Sequence, residues 1–275
     1  MQNPLDMKAL IVATDFSPEA ENALEYAGAA ARDLNAKVVL YNSFTIPPHF
    51  ASSLFPASAL DELTKQNQAA LGDRAAKLAQ KYNIEVAFES FLMDLEDQLE
   101  IIINKYNADL VVMGMAKKSL NQDLFGNTTT AAIAKLKIPV LAIPLHVQYK
   151  SIKKILFACD ILRGVHAILL ERIKVLAEKL DAEIEIFHVH QRIQQLDISK
   201  TTDEIDNVLG SVKHYYKNVQ ATAVIAEIEK EIKAIDADLL IMVPYKYGFW
   251  SSLIHTSKTR IMASNSEVPL LSIPM

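Results

Sequence analysis

Four short segments in the first half of the chain recur, in the same order, in the second. Ala13-Thr14-Asp15-Phe16 returns as Ala158-Cys159-Asp160-Ile161, each after an apolar run, Leu10-Ile11-Val12 and Ile155-Leu156-Phe157. Leu34-Asn35-Ala36-Lys37-Val38 returns as Leu180-Asp181-Ala182-Glu183-Ile184. Ala108-Asp109-Leu110 returns as Ala237-Asp238-Leu239, and Ile138-Pro139-Val140-Leu141 as Val268-Pro269-Leu270-Leu271. A repeat that spans the chain constrains its architecture before any element is assigned: one structural unit is folded twice. The first copy is placed at residues 1–147 and the second at 148–275, with the boundary between His146 and Ser151.

Each copy alternates two kinds of pattern. Ala9–Ala13 is a short, wholly apolar run, as expected of a strand buried on both faces. Ser17 can cap a helix, Pro18 suits its first position, and Glu19 and Glu21 suit its positive end. Strands are expected at Val38–Tyr41, Ile84–Phe88, Leu110–Met113 and Ile138–Ile143. Helices are expected at Leu60–Tyr82, Leu95–Tyr106 and Thr128–Leu136. Strands alternating with helices predict an α/β fold: two tandem, doubly wound domains, each with a five-stranded parallel sheet covered on both faces. The fifth strands are expected to pair, making one chain a pseudo-dimer and leaving a further homodimer open.

Composition narrows the function. With 51% hydrophobic residues the chain can build real cores. A single cysteine, Cys159, excludes an internal disulfide framework and a Cys-cluster zinc site. No apolar stretch reaches the roughly 18 residues of a membrane span, and Met1 to Met7 lack a signal-peptide pattern. The expectation is a cytoplasmic protein with no membrane partner. Net charge is −5, and all of it falls in the first copy, which holds 12 Lys and Arg against 17 Asp and Glu. That balance argues against nucleic acid, which calls for a concentrated basic patch.

In such sheets ligands bind beyond the carboxyl ends of the strands, where strand order reverses. Three places in the first copy follow strands: Thr14-Asp15, Asn42-Ser43, and the segment from Met113-Gly114 to Thr130. In the last, a glycine ends a strand, a loop carries Lys117 and Lys118, and Gly126-Asn127-Thr128-Thr129 opens a helix. Glycine lets backbone N–H groups approach phosphate oxygens, and a helix N-terminus supplies donors and a positive dipole. Thr128 or Thr129 can add a hydroxyl, and a lysine can add charge. The plainer account is a helix capped by Asn127 or Thr128 beside two solvated lysines. Neither the Walker nor the dinucleotide glycine spacing is present.

The start Ala13-Thr14-Asp15-Phe16-Ser17, the late glycine loop and the repeat resemble the universal stress protein family in its tandem form. Nucleotide-binding members of that family carry a loop of Gly, two residues, Gly, nine residues, then Gly and Ser or Thr. Here Gly114 and Gly126 match the outer glycines with a one-residue deletion, Lys117 stands in the middle glycine position, and Asn127 stands where Ser or Thr should be. The resemblance implies an ATP or AMP site, with or without Mg²⁺. Asp15 would accept from the ribose hydroxyls or meet the adenine region, and Ser43 would sit beside the adenine. Met113 and Gly114 would flank base and ribose, and Gly126, Asn127 and Thr128 would hold phosphates. Lys117 either binds phosphate as a point charge or obstructs the approach that glycine allowed.

The second copy reads as degenerate. Val243 replaces the first glycine, His255 the last, and Pro244 removes a donor. Tyr247, Phe249 and Trp250 make its loop bulky, either packed on the surface or forming a docking patch for another protein. The apolar segment Thr45–Pro56 is expected to pack over the core, or to serve as a lid or dimer contact. His188 and His190 share one strand face, and Cys159 is expected as a buried thiol. No nucleophile-elbow motif or acid–base carboxylate pair stands out, so any hydrolysis would be slow. The leading expectation is a stress-response sensor or regulator. The alternatives are a protein-interaction scaffold without nucleotide, or a hydrolase on the same fold.

Overall fold

In the computed structural model, described for residues 8–43, 57–91, 95–115, 128–161, 165–190, 199–243 and 267–274, strands alternate with helices within each half. The first half contains β1 (Ala9–Ala13), α1 (Pro18–Leu34), β2 (Lys37–Ser43), α2 (Ala57–Tyr82), β3 (Val86–Phe91), α3 (Leu95–Tyr106), β4 (Leu110–Met115), α4 (Thr128–Lys135) and β5 (Val140–Pro144). The second contains β6 (Lys154–Ala158), α5 (Ala167–Leu180), β7 (Glu183–His190), α6 (Ser199–Leu209), β8 (His214–Gln220), α7 (Val224–Ile235), β9 (Leu239–Met242) and β10 (Leu270–Ser272).

Among the described residues, ten strands form one sheet in the order β3-β2-β1-β4-β5-β10-β9-β6-β7-β8. Neighbours within each half are parallel, and the halves join where β5 and β10 run antiparallel, with Leu141 directly opposite Leu271. The expected contact between fifth strands therefore forms within the chain.

Period-two alternation sends each strand's side chains to opposite faces. In the first half, Leu10, Val12, Val38 and Leu40 face α1 and α2, while Ile11, Val39, Val111 and Met113 face α3 and α4. Because both faces are covered, β1 is buried at every position, which is why it reads as a continuous apolar run.

The repeated Asn-Ala and Asp-Ala pairs are helix stops. Asn35, Asp181 and Asp236 are left-handed C-caps of α1, α5 and α7, with φ of 52°, 50° and 53°. The following Ala36, Ala182 and Ala237 donate back to the carbonyls of Ala31, Ala177 and Ile232, the Schellman pattern. The repeated Ala-Asp-Leu has a different task. Asp109 accepts the backbone N–H groups of Lys8 and Ala9 at the start of β1, and Asp238 those of Lys153 and Lys154 at the start of β6. Among the described residues, no helix is long and apolar enough to cross a membrane.

Candidate functional site

The strand order creates a crevice in the first half. From β1 the chain winds outward through β2 and β3, then returns to β4 on the other side of β1. The connections therefore diverge above the carboxyl ends of β1 and β4. Register places Ala13 beside Met113, so Thr14 and Asp15 leave β1 opposite Gly114.

The turn after β1 is bound at each residue. The Thr14 N–H donates to the Tyr41 carbonyl (2.8 Å), and Thr14 Oγ1 accepts the Phe16 N–H (3.0 Å). Asp15 Oδ1 accepts the Ser17 N–H (3.0 Å), and Ser17 Oγ accepts the Ala20 N–H (3.2 Å) to cap α1. Between them Phe16 sits at φ 64°, in the left-handed region. For an aromatic residue that conformation costs about 1–3 kcal/mol, and it persists only where the surroundings hold it. The Arg74 guanidinium lies 4.4 Å from the Phe16 ring centroid and pairs with Glu21, one turn into α1. The outcome is an exposed Asp15 carboxylate at the crevice.

Gly114 explains how closely the elements meet. A Cβ there would lie 2.4 Å from the backbone C and O of Glu19 and 2.8 Å from Ala20 N. The first turn of α1 thus rests on the β4 backbone, which brings the positive end of that helix to the crevice. Behind it runs a chain of amides. Asn42, only 3% exposed, donates from Nδ2 to the Thr14 carbonyl (2.7 Å), and its Oδ1 accepts from Asn67 Nδ2 (2.6 Å). Asn67, on α2, also reaches Ser90 Oγ of β3 at 3.5 Å. A buried amide that lost one partner would leave the other unsatisfied, so these bonds fix the strand ends relative to one another.

The expected site residues fall as follows. Asp15, Gly114 and Ser43 lie along the carboxyl edge, Ser43 half-buried as the last residue of β2. Met113 also ends there, but its side chain is buried with Ile11 and Val111 in the core under α3 and α4, so only its backbone is at the edge. Lys117, Gly126 and Asn127 lie outside the described residues, as do the Thr45–Pro56 segment and the second loop with Pro244, Tyr247, Phe249, Trp250 and His255. Thr128 opens α4, and its side chain is likewise outside them. Thr129 is buried, and its hydroxyl donates to the Gly114 carbonyl (2.9 Å). Of the two threonines offered as hydroxyl donors, Thr129 thus ties the start of α4 to the end of β4. Sequence reasoning missed Phe16 and Asn67. The only trace of Phe16 was its place between two capping residues, and nothing marked Asn67 within the polar run of α2.

Among the described residues, the second half carries different side chains at the equivalent positions. Val243, buried, follows β9 where Gly114 belongs to the end of β4. Cys159 stands for Thr14, so the hydroxyl that holds the turn is missing. His188 stands for Asn42 and donates from Nδ1 to the Cys159 carbonyl at 3.1 Å. Burial makes His188 harder to protonate, against the opposing pull of that carbonyl and of Asp160. Its ring stacks on His190 with centroids 5.9 Å apart. Among the described residues no three His, Cys, Asp or Glu are grouped to hold a metal. The Cys159 thiol is pushed far above its ordinary range by burial, with Asp160 adding to the effect, so it is inert as a nucleophile. Helix α5 starts at Ala167, seven residues after Asp160, with no side-chain cap from His166, whereas α1 starts three residues after Asp15.

Comparison with known proteins agrees with this geometry. The model of the universal stress protein family matches residues 7–144. The chain belongs to the universal stress protein family. This universal stress protein is similar along its length to one from Archaeoglobus fulgidus DSM 4304, with a TM-score of 0.74 and 18% identity over 99% of this chain and 98% of that one. It is also similar to a protein of unknown function from Pseudomonas aeruginosa PAO1, with a TM-score of 0.62 and 12% identity over 98% and 94% of the two chains. At such identities the likeness is one of fold. No curated protein sequence matches the chain.

Proposed function

We propose that the first half of this universal stress protein binds an adenine nucleotide, ATP or AMP, at the crevice between β1 and β4, and that the protein acts as a stress-response sensor or regulator. The observation that carries this reading is the turn Thr14–Ser17, which holds a left-handed Phe16 in place and presents Asp15 opposite Gly114. Strained, over-determined backbone is characteristic of ligand sites. The residues present suit the ligand. An exposed carboxylate is an acceptor for a pair of ribose hydroxyls, and the backbone of Met113 and Gly114 and the side chain of Ser43 flank the place of the base. The start of α4 at Thr128, with Lys117, Gly126 and Asn127 before it, would take the phosphates, with Mg²⁺ accompanying ATP.

The test begins with purified protein, denatured and filtered, its filtrate chromatographed for adenine nucleotides. ATP and AMP, each with and without Mg²⁺, are then titrated calorimetrically into stripped protein. The expected result is one nucleotide per chain, lost in Asp15→Ala. Absence of copurified nucleotide together with absence of binding heat at millimolar ligand would refute the reading. In that event the interaction scaffold is the reading left, and a buried Val243 in place of Gly114 is consistent with it.

A further inference from the structure

A cleft of about 390 Å³ lies at the seam between the halves, on the α1 and α5 face of the sheet. Its floor includes the cross-strand pair Leu141 and Leu271. Ala27 and Ala30 of α1 form one wall, and their small side chains are why the helix leaves room. The other wall is a stripe of α5, Arg172, Val175, Leu176 and Lys179, spaced at three and four residues and therefore on one helix face. The cleft is mostly apolar and opens to solvent at the seam. It lies within the roughly 300–1,000 Å³ typical of small-molecule sites.

The charged groups lining the cleft are Asp109, Lys137, Arg172 and Lys179. Asp109 already accepts the N–H groups of Lys8 and Ala9, and Lys179 donates to the Leu34 carbonyl at 3.2 Å. Three cations against one carboxylate leave the cleft net positive, and Lys137 and Arg172 are both exposed. An apolar cleft with a cationic rim matches an amphiphile with one anionic head and a single hydrocarbon tail. We infer that the seam cleft binds a long-chain carboxylate, its tail over Leu141 and Leu271 and its head at Arg172 and Lys137. This site is separate from the crevice above Asp15 and does not depend on the nucleotide reading.

The probes are dodecanoate, octanoate and dodecyltrimethylammonium, each titrated calorimetrically below its micelle concentration into the full chain after delipidation. Dodecanoate is expected to saturate at one per chain. Octanoate, four methylenes shorter, should bind on the order of 200-fold more weakly, at roughly fourfold per buried methylene. The cationic amphiphile should not saturate a site. The double variant Arg172→Glu, Lys137→Glu changes only exposed positions, so it should fold, and it should weaken dodecanoate about tenfold. Ala30→Phe, which fills the cleft, should abolish binding. Equal binding of the cation, uptake of many dodecanoates per chain, or an unchanged affinity in the double charge variant would overturn the inference.

Discussion

The contact at Gly114 makes the sharpest prediction about how the site is built. In Gly114→Ala the new methyl group would stand 2.4 Å from Glu19 C and O, where ordinary contact begins near 3.4 Å. These are backbone atoms, so no rotamer change relieves the clash, and the start of α1 must retreat by about 1 Å. Overpacking of this kind costs about 1–3 kcal/mol. The retreat also strains the Ser17 cap, worth about 1 kcal/mol. The expected loss is therefore about 2–4 kcal/mol, or very roughly 5–15 °C in Tm for a chain of this size. Urea and thermal unfolding, followed by circular dichroism, measure it, and the urea slope checks that only stability has changed. A loss under about 0.5 kcal/mol would refute the claim that α1 rests directly on the β4 backbone.

Three further predictions follow from other contacts. Gly72→Ala is the matched control: its methyl would meet only the tip of the half-exposed Phe88 ring, 3.3 Å away, so the better helix propensity should leave α2 unchanged or more stable by up to about 1 kcal/mol in the same unfolding assay. Asp238 is held below its ordinary value by Lys150 and by the N–H groups of Lys153 and Lys154, although burial alone would raise it. Its contribution is present at neutral pH and lost as pH falls through the folded value, so Asp238→Asn should cost about 1–3 kcal/mol at pH 7 and less near pH 3, as unfolding at the two pH values would report. Glu185 is pushed up to about 7, first by burial and then by the neighbouring Glu231, with Lys217 opposing. Because the unfolded chain releases that proton near 4.5, stability from this group falls as pH rises from 4.5 to 7, and Glu185→Gln should flatten unfolding midpoints over that window.

What could be read from the sequence was set by local chemistry. Strand β1 follows from five consecutive apolar residues, and the start of α1 from Ser17 and Pro18. Strand β3, expected at Ile84–Phe88, instead spans Val86–Phe91. Asn83 takes φ 53° and Ile84 donates back to the Ala79 carbonyl, so Ile84 belongs to the end of α2 and the strand begins only at Val86. The repeat announced Asp109 and Asp238, but their role as clasps for distant strand starts needed the fold, because the partners lie 100 and 85 residues away. The same holds at the site. The positions of Asp15 and Gly114 at the ends of β1 and β4 follow from the strand pattern. The link from Asn42 to Asn67 joins residues whose adjacency is decided by how α2 packs, and no spacing encodes that. Gly114 itself is singled out in the sequence for ligand approach; the reason visible in the structure is the passage of a helix.

The seam between β5 and β10 has a consequence for how such a protein can change. When identical subunits pair, every substitution arises twice, and both sites must drift together. Here the partners are covalently joined, always present at one to one, and never need to find each other in solution. Each is free to specialise at no cost to assembly. Val243 in place of Gly114 and Cys159 in place of Thr14 are differences that a linked pair tolerates and a symmetric one would be forced to share.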